Sequence, residues 1–313
     1  MKEFSYIIKR ILQMIPVLLI ITVIIFFGMR LIPGDPAVTM LGDHATPQAL
    51  EEMRHKLGLD QSVIIQYFLF LKQVITLDFG NSITLNAPVW QLFTQKAAVT
   101  LTLTIVTGVF TLIISFVFGY IGGISKNKVV TKTVDTVALI FISVPEFWIG
   151  ILLMMILGLN LGLFPVGGWG TTWPEHLRSM ILPGISGALG TSALMIRNIE
   201  EEILKIRRQD YVDFAYSKGL KKNIVRNRYI LKNVMVSTIT LFSMRIVYMF
   251  AASVVIETVF ALPGLGSMLM QGILARDYAL VQGLVYIFAV IVLVLNLLTD
   301  ISYSFINPRI RLE

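Results

Sequence analysis

Six stretches of this chain are too long and too uniformly apolar to lie on the surface of a water-soluble fold. They cover roughly residues 11–31, 100–123, 134–160, 180–196, 234–258 and 281–306. A helix needs about 20 mostly apolar residues to cross the hydrocarbon core of a bilayer. Inside that core only helices and closed barrels satisfy the backbone, and segments of this length select the helix. Of all residues, 56% are hydrophobic and only 14% charged, against about a quarter charged in a soluble domain. The expected fold class is an all-α integral membrane protein with six transmembrane helices. The fourth stretch is the shortest and is rich in glycine.

Charge sets the orientation. Short cytoplasmic loops collect Lys and Arg. Here they gather at the N-terminus (Lys2, Lys9, Arg10), between stretches two and three (Lys126, Lys128, Lys132), between stretches four and five (Arg197 through Lys232) and at the C-terminus (Arg309, Arg311). The third loop offers only Arg178 and the fifth only Arg276. Both termini are therefore expected on the cytoplasmic side of a multi-pass protein, and the long loop 32–96 outside. The first stretch follows basic residues as a signal peptide would. It is longer than a signal core and no small-residue cleavage site follows, so it reads as an uncleaved first helix. The net charge of +7 lies between apolar spans, which argues against nucleic acid as a partner and for the lipid bilayer.

The domain division read from this pattern is 1–31, the N-terminus and first helix; 32–96, a small helical extracytoplasmic lobe; and 97–313, a core with a cytoplasmic loop at about 197–233. In the lobe, Thr46-Pro47 is an N-cap followed by proline at the first helical position. That helix should end at about Leu57 with Gly58 as its stop. A second should run over 62–76 with Ile65, Phe68, Leu69 and Leu71 on its apolar face.

Several chemistries are excluded. There is no cysteine, hence no disulfide and no Cys-ligated metal. His44, His55 and His176 are scattered, so no zinc-like cluster and no metal site is expected. No phosphate loop of the Gly-x-x-x-x-Gly-Lys-Ser/Thr type occurs; the nearest glycine-rich stretch, 119–126, has the wrong spacing. No catalytic residue and no bound cofactor is expected. The two halves show no internal repeat, which disfavours an inverted-repeat secondary transporter.

The cytoplasmic loop contains Asp210-Tyr211-Val212-Asp213-Phe214-Ala215-Tyr216-Ser217-Lys218-Gly219-Leu220. It reads as a short helix, a glycine break and a second short helix, with Gly219 in the left-handed cap position. Ala215, four residues earlier, would allow close approach to another surface, and Tyr211, Phe214 and Leu220 would supply apolar contacts. A membrane protein driven by a separate motor needs such a rigid knob; the plainer alternative is a basic loop obeying the positive-inside rule.

Further motifs stand in order along the chain: Pro33-Gly34-Asp35-Pro36, Leu57-Gly58-Leu59-Asp60, Asp78-Phe79-Gly80-Asn81-Ser82, Pro145-Glu146-Phe147-Trp148, Leu163-Phe164-Pro165-Val166, Leu231-Lys232-Asn233, Glu257-Thr258-Val259-Phe260, Pro263-Gly264-Leu265-Gly266, Arg276-Asp277-Tyr278 and Asn307-Pro308-Arg309-Ile310. In number and order they resemble the dipeptide/oligopeptide/nickel permeases of binding-protein-dependent ABC importers, first-subunit type, over essentially the whole chain. The loop resembles their EAA-type coupling loop.

The resemblance implies that this chain forms half of a pore in a bacterial or archaeal inner membrane. Its partners would be a second homologous permease, two cytoplasmic ABC ATPases that use the ATP, and an extracytoplasmic substrate-binding protein. It implies that Asp210, Tyr211, Asp213, Ala215, Lys218, Gly219 and Leu220 couple to the ATPases. It also implies peptides as substrate, with nickel or a metal chelate as the alternative. A stand-alone secondary transporter and a membrane receptor remain the readings from other classes.

The chain departs from the family pattern at Asp213-Phe214, Tyr216-Ser217 and Leu262, and most of all at Glu146 and Arg245, where uncharged residues are usual. On straight helices Glu146 lies 12 residues past Val134 and Arg245 lies 11 past Val234. At about 1.5 Å per residue that is roughly 16–18 Å deep, near the middle of the core. An unpaired charge there costs at least about 2.5–3.5 kcal/mol. Glu146 and Arg245 are therefore expected to face the translocation pathway or to pair with each other. Arg30, Glu257 and Asp300, nearer span ends, should reach the interface. Pro145 is a candidate kink. Gly184, Gly187 and Gly190 are candidates for close helix packing or for bending during gating.

Overall fold

In the computed structural model, which describes residues 2–31, 35–42, 45–56 and 58–306, four helices are long and apolar enough to cross a membrane: Ile8–Leu31, Val89–Ile124, Lys222–Val259 and Tyr278–Ser302. Two bent pairs, Lys128–Ser143 with Glu146–Asn160 and Trp173–Ser179 with Ile181–Arg207, bring the number to six where each pair counts as one span. His44, Leu57, the Pro33-Gly34 motif and the closing 307–310 motif lie outside the described residues.

Stretch 134–160 corrects the expectation of one continuous helix, because its two halves meet at 101°. Val144 is extended, at φ −101° and ψ 129°. The ring of Pro145 disfavours helical geometry in the residue before it and supplies no N–H. The other boundaries move outward. The second helix begins at Val89, and the fourth runs on from Ile181 to Arg207. The fifth is preceded by a π-helical turn, Val225–Leu231.

The chain divides into two compact units. One comprises Met1–Val99 with Pro263–Leu297. Its core gathers Phe26, Phe70, Phe79, Val89, Leu265 and Leu284. Asp35 caps helix Pro36–Leu41 by accepting from Ala37 N, and it pairs with Arg54 at 2.6 Å. Helix Pro47–Lys56 ends as expected: Gly58 has φ +64°, and Leu59 N donates back to Arg54 O at 2.8 Å. Ser62 caps helix Val63–Thr76. A short hairpin, Asn81–Ser82 with Ala87–Pro88, was not legible in the sequence.

Asp277, 1% exposed, explains two of the motifs together. Its carboxylate accepts from Ser82 Oγ at 2.7 Å, from Thr84 N at 3.0 Å and from Leu280 N at 3.1 Å. It thus ties the hairpin to the start of helix Tyr278–Ile306. A buried carboxylate is tolerated when donors surround it in this way.

The other unit comprises Thr100–Leu262 with Leu298–Glu313. Helix Ile181–Arg207 is its central post, packed by helices Lys128–Ser143, Glu146–Leu153 and Lys232–Val259. Glycine permits the approach of Val89–Ile124 to this post. A Cβ at Gly119 would lie 2.8 Å from Ile199 Cβ and 2.9 Å from Ile196 O, and one at Gly123 would lie 2.8 Å from Ile203 Cβ. From the post's own side, a Cβ at Gly184 would meet Val106 at 2.7 Å and one at Gly187 would meet Thr107 at 3.3 Å. These glycines sit at packed helix contacts.

Glu257 corrects another expectation. It does not reach an interface: it is fully buried and accepts from Thr100 Oγ1 at 2.6 Å, because a donor on the neighbouring helix is closer than water. Arg30 turns back to Phe26 O and to the Gln66 side chain.

Gly119→Ala is expected to destabilise the protein by about 1–3 kcal/mol through overpacking against backbone. Gly28→Ala, with nothing within 4 Å of the added methyl, should not. Thermal midpoints of the two variants in detergent check this.

Candidate functional site

Broken helices are tolerated at membrane depth only where the freed backbone is buried in protein or lines a water-filled cavity. The break at Val144-Pro145 lies beside a cavity. Helix Lys128–Ser143 stops there, and Pro145 O accepts from Trp148 N at 3.0 Å and Ile149 N at 3.2 Å to start helix Glu146–Leu153. Ser186 of the central post donates its hydroxyl to Glu146 O at 2.6 Å, which pins the new helix where it begins. Gly150 keeps it close: a Cβ there would sit 2.9 Å from both Ser186 Oγ and Phe260 Cε2. Beside the break is a cavity of about 390 Å³, walled by Pro145, Glu146, Gly190, Thr191, Arg245 and Tyr248 among others.

Glu146 and Arg245, two charges singled out on separate helices, thus share one cavity, and both are half-buried. The expected pairing is not formed. Among the described residues no ion pair joins them, and neither side chain makes a hydrogen bond within the chain. The depth count for Glu146 also fails, since it assumed a straight helix. Arg245 lies on the uninterrupted helix Lys232–Val259, and the two residues line the same cavity.

Gly190 makes room for the carboxylate: a Cβ there would lie 2.8 Å from Glu146 Oε1. Beside it, Thr191 Oγ1 is buried without a hydrogen-bond partner. Sequence reasoning missed Thr191, Tyr248 and Ser186. The available signals were that Thr191 follows Gly190 and that Tyr248 lies three residues past Arg245, on the same helix face.

The loop at 209–233 folds into the expected knob. Helix Asp210–Ser217 ends in a Schellman motif: Gly219 has φ +76°, with Gly219 N donating to Tyr216 O at 2.9 Å and Leu220 N to Ala215 O at 3.3 Å. Ala215 corrects its expectation. It faces inward with Val212, buried among Ile199, Ile203, Val225 and Ile230, and Leu220 packs on the same cluster. What the knob leaves exposed is Asp210, Asp213, the pair Tyr211 and Phe214 on one face, and Tyr216 on another side of the helix, with the Lys218 ammonium 4.6 Å from the centre of the Phe214 ring. Arg207 donates to Gly123 O at 3.2 Å, joining the base of the knob to helix Val89–Ile124.

Residues 115–312 match the family described as binding-protein-dependent transport system inner membrane component, and residues 3–104 match the N-terminal family of the same systems. A Brucella abortus protein with the provisional name of peptide transport system permease is 36% identical over 312 residues, covering 99% of each chain. The Bacillus subtilis oligopeptide transport system permease AppB is 34% identical, over 98% of this chain and 99% of its own. The Salmonella choleraesuis glutathione transport system permease GsiC is 32% identical, over 98% and 99%. In fold, a chain of the inward-facing MetNI methionine ABC transporter aligns with a TM-score of 0.58 at 15% identity, over 70% of this chain and 97% of that one.

Ser186→Ala should cost about 1 kcal/mol by removing the side-chain hydrogen bond that ties the start of helix Glu146–Leu153 to the central post. Gly190→Ala should cost less, because it displaces only the mobile end of the Glu146 side chain. Chemical or thermal unfolding of the two variants against wild type measures the difference.

Proposed function

We propose, for a chain that belongs to the family of binding-protein-dependent ABC importer permeases, that its cargo is a short peptide and that the cavity at the broken helix forms one side of the peptide's path. The chain is a permease subunit, and ATP hydrolysis belongs to separate subunits of the importer. The observation that carries the substrate is the end-to-end match to relatives named for peptide, oligopeptide and glutathione transport. No relative named above carries nickel in its name.

In this reading the working assembly pairs the chain with a second homologous permease in the inner membrane of a bacterium or archaeon. Two ATPases dock on the cytoplasmic side, and a binding protein delivers peptide from outside. Both termini are cytoplasmic, and the chain itself holds no cofactor. The knob Asp210–Ser217 receives the ATPases on Tyr211, Phe214, Tyr216 and the exposed carboxylates. Its buried face, Val212 and Ala215, clamps it to the lower end of helix Ile181–Arg207. That helix carries Gly190 and Thr191 of the cavity wall and, at 27 residues, is about 40 Å long. A push on the knob is therefore delivered to the cavity along one packed helix, since a close-packed interior transmits displacement rather than absorbing it. Alternating access follows from moving that wall.

Isolation of the tagged chain from its native cell should yield a second permease, ATPases with phosphate loops and a binding protein that holds peptides. Recovery of the chain alone, under conditions that preserve a known ABC importer, would contradict the assembly; a binding protein that holds nickel instead would contradict the cargo. Phe214→Ala, at an exposed aromatic that supports no part of the core, should reduce ATPase recovery about tenfold while leaving the thermal midpoint unchanged. Undiminished recovery would remove Phe214 from the docking face.

A further inference from the structure

Building on the peptide reading, we propose that the cavity at the broken helix binds both charged ends of a zwitterionic peptide: the Glu146 carboxylate takes the α-ammonium and the Arg245 guanidinium takes the α-carboxylate. The inference starts from an imbalance within the chain. Two opposite charges line one cavity, half-buried and without an ion pair or side-chain hydrogen bond among the described residues. Charges at this depth persist when a partner or water meets them. One cation and one anion placed close together, from outside the chain, would meet both. A peptide of two or three residues supplies both on a single molecule.

The walls fit that ligand. Phe141, Ile142 and Ser143, the last residues of helix Lys128–Ser143, line the cavity on the Glu146 side. The carbonyl end of a helix is its negative pole, which strengthens that side for an ammonium. Thr191 Oγ1, buried and unpartnered, can donate to or accept from a peptide amide between the two ends. Leu194, Phe141 and Tyr248 supply apolar surface that accepts side chains without demanding one in particular. The volume of about 390 Å³ lies in the range of small-molecule sites. Gly190 leaves the carboxylate room against its wall, since a Cβ there would lie 2.8 Å from Glu146 Oε1. A site that reads ends and ignores side chains suits a carrier of many peptides.

The test is equilibrium binding of tritiated trialanine to the assembled permease–ATPase complex without its binding protein, with N-acetyl-trialanine and trialanine amide as competitors. Wild type should bind trialanine and bind each end-blocked form about tenfold more weakly, the loss of one charge-assisted contact. Glu146→Gln should bind trialanine and its N-acetyl form equally while still rejecting the amide. Arg245→Gln should do the reverse. Glu146→Asp and Arg245→Lys, which keep the charges, should keep the discrimination and show that the Gln variants fail by chemistry rather than by misfolding. Absence of trialanine binding, binding that ignores both ends, or a loss of both discriminations in each Gln variant would overturn the proposal. The last pattern would assign the two charges to the second permease or to structure. The import reading is judged separately, by peptide uptake through the complete complex with its binding protein.

Discussion

The hydrogen bond from Ser186 Oγ to Glu146 O is where the architecture of the Thr100–Leu262 unit turns into a site. Without a partner, the backbone freed at Val144-Pro145 would be an unsatisfied polar stretch in an apolar surrounding, at a cost of several kcal/mol per group. At the break itself Val144 N donates to Ile140 O, and Pro145 O accepts from Trp148 N and Ile149 N; the Ser186 bond anchors the first residue of the second half-helix to the central post. It depends in turn on close packing: Gly150 and Gly190 let the half-helix and the Glu146 carboxylate lie against the central post. The half-helix held there carries Glu146 into the cavity that Arg245 and Thr191 also line.

The same post links the cavity to the knob. Its lower half carries Ile199, Ile203 and Ile206, which bury Val212 and Ala215, and its upper half carries Gly184, Ser186, Gly187 and Gly190. Small residues on one half and branched residues on the other divide the helix into a part that admits close neighbours and a part that anchors a lever. The energetics are those of dense packing rather than of ion pairs. Surface ion pairs such as Lys205 with Glu202 are exposed, and exposed pairs contribute little.

Much of this was legible in the chain. Apolar length gave four crossings and the two bent pairs that would complete six, Gly219 gave the cap that shapes the knob, and the rarity of charge inside spans marked Glu146 and Arg245. Three things were not legible, for physical reasons. A proline inside an apolar run marks a kink, but whether the helix bends slightly or turns through 101° depends on what holds the second half-helix, and Ser186, which anchors its first residue, is 40 residues away. Ala215 was read as facing a partner because a small residue permits approach from either side; only the isoleucines beneath it decide which. Glu257 was placed near an interface by counting along one helix, whereas its environment is set by Thr100 on another. Periodicity reports what lies along an element, and each of these depended on a contact between elements.

The central claim is that the break at Val144-Pro145 opens onto an aqueous path in the assembled transporter. The chain has no cysteine, so single cysteines can be introduced and their reaction with a charged, membrane-impermeant thiol reagent followed directly. Leu194→Cys, in the cavity wall, should react rapidly in the complete complex and be protected by bound peptide, whereas Ile113→Cys, exposed on helix Val89–Ile124 but outside the cavity, should react slowly. Equal rates at the two positions, or a Leu194→Cys that never reacts, would mean that the cavity is closed by protein or lipid and is not part of the path.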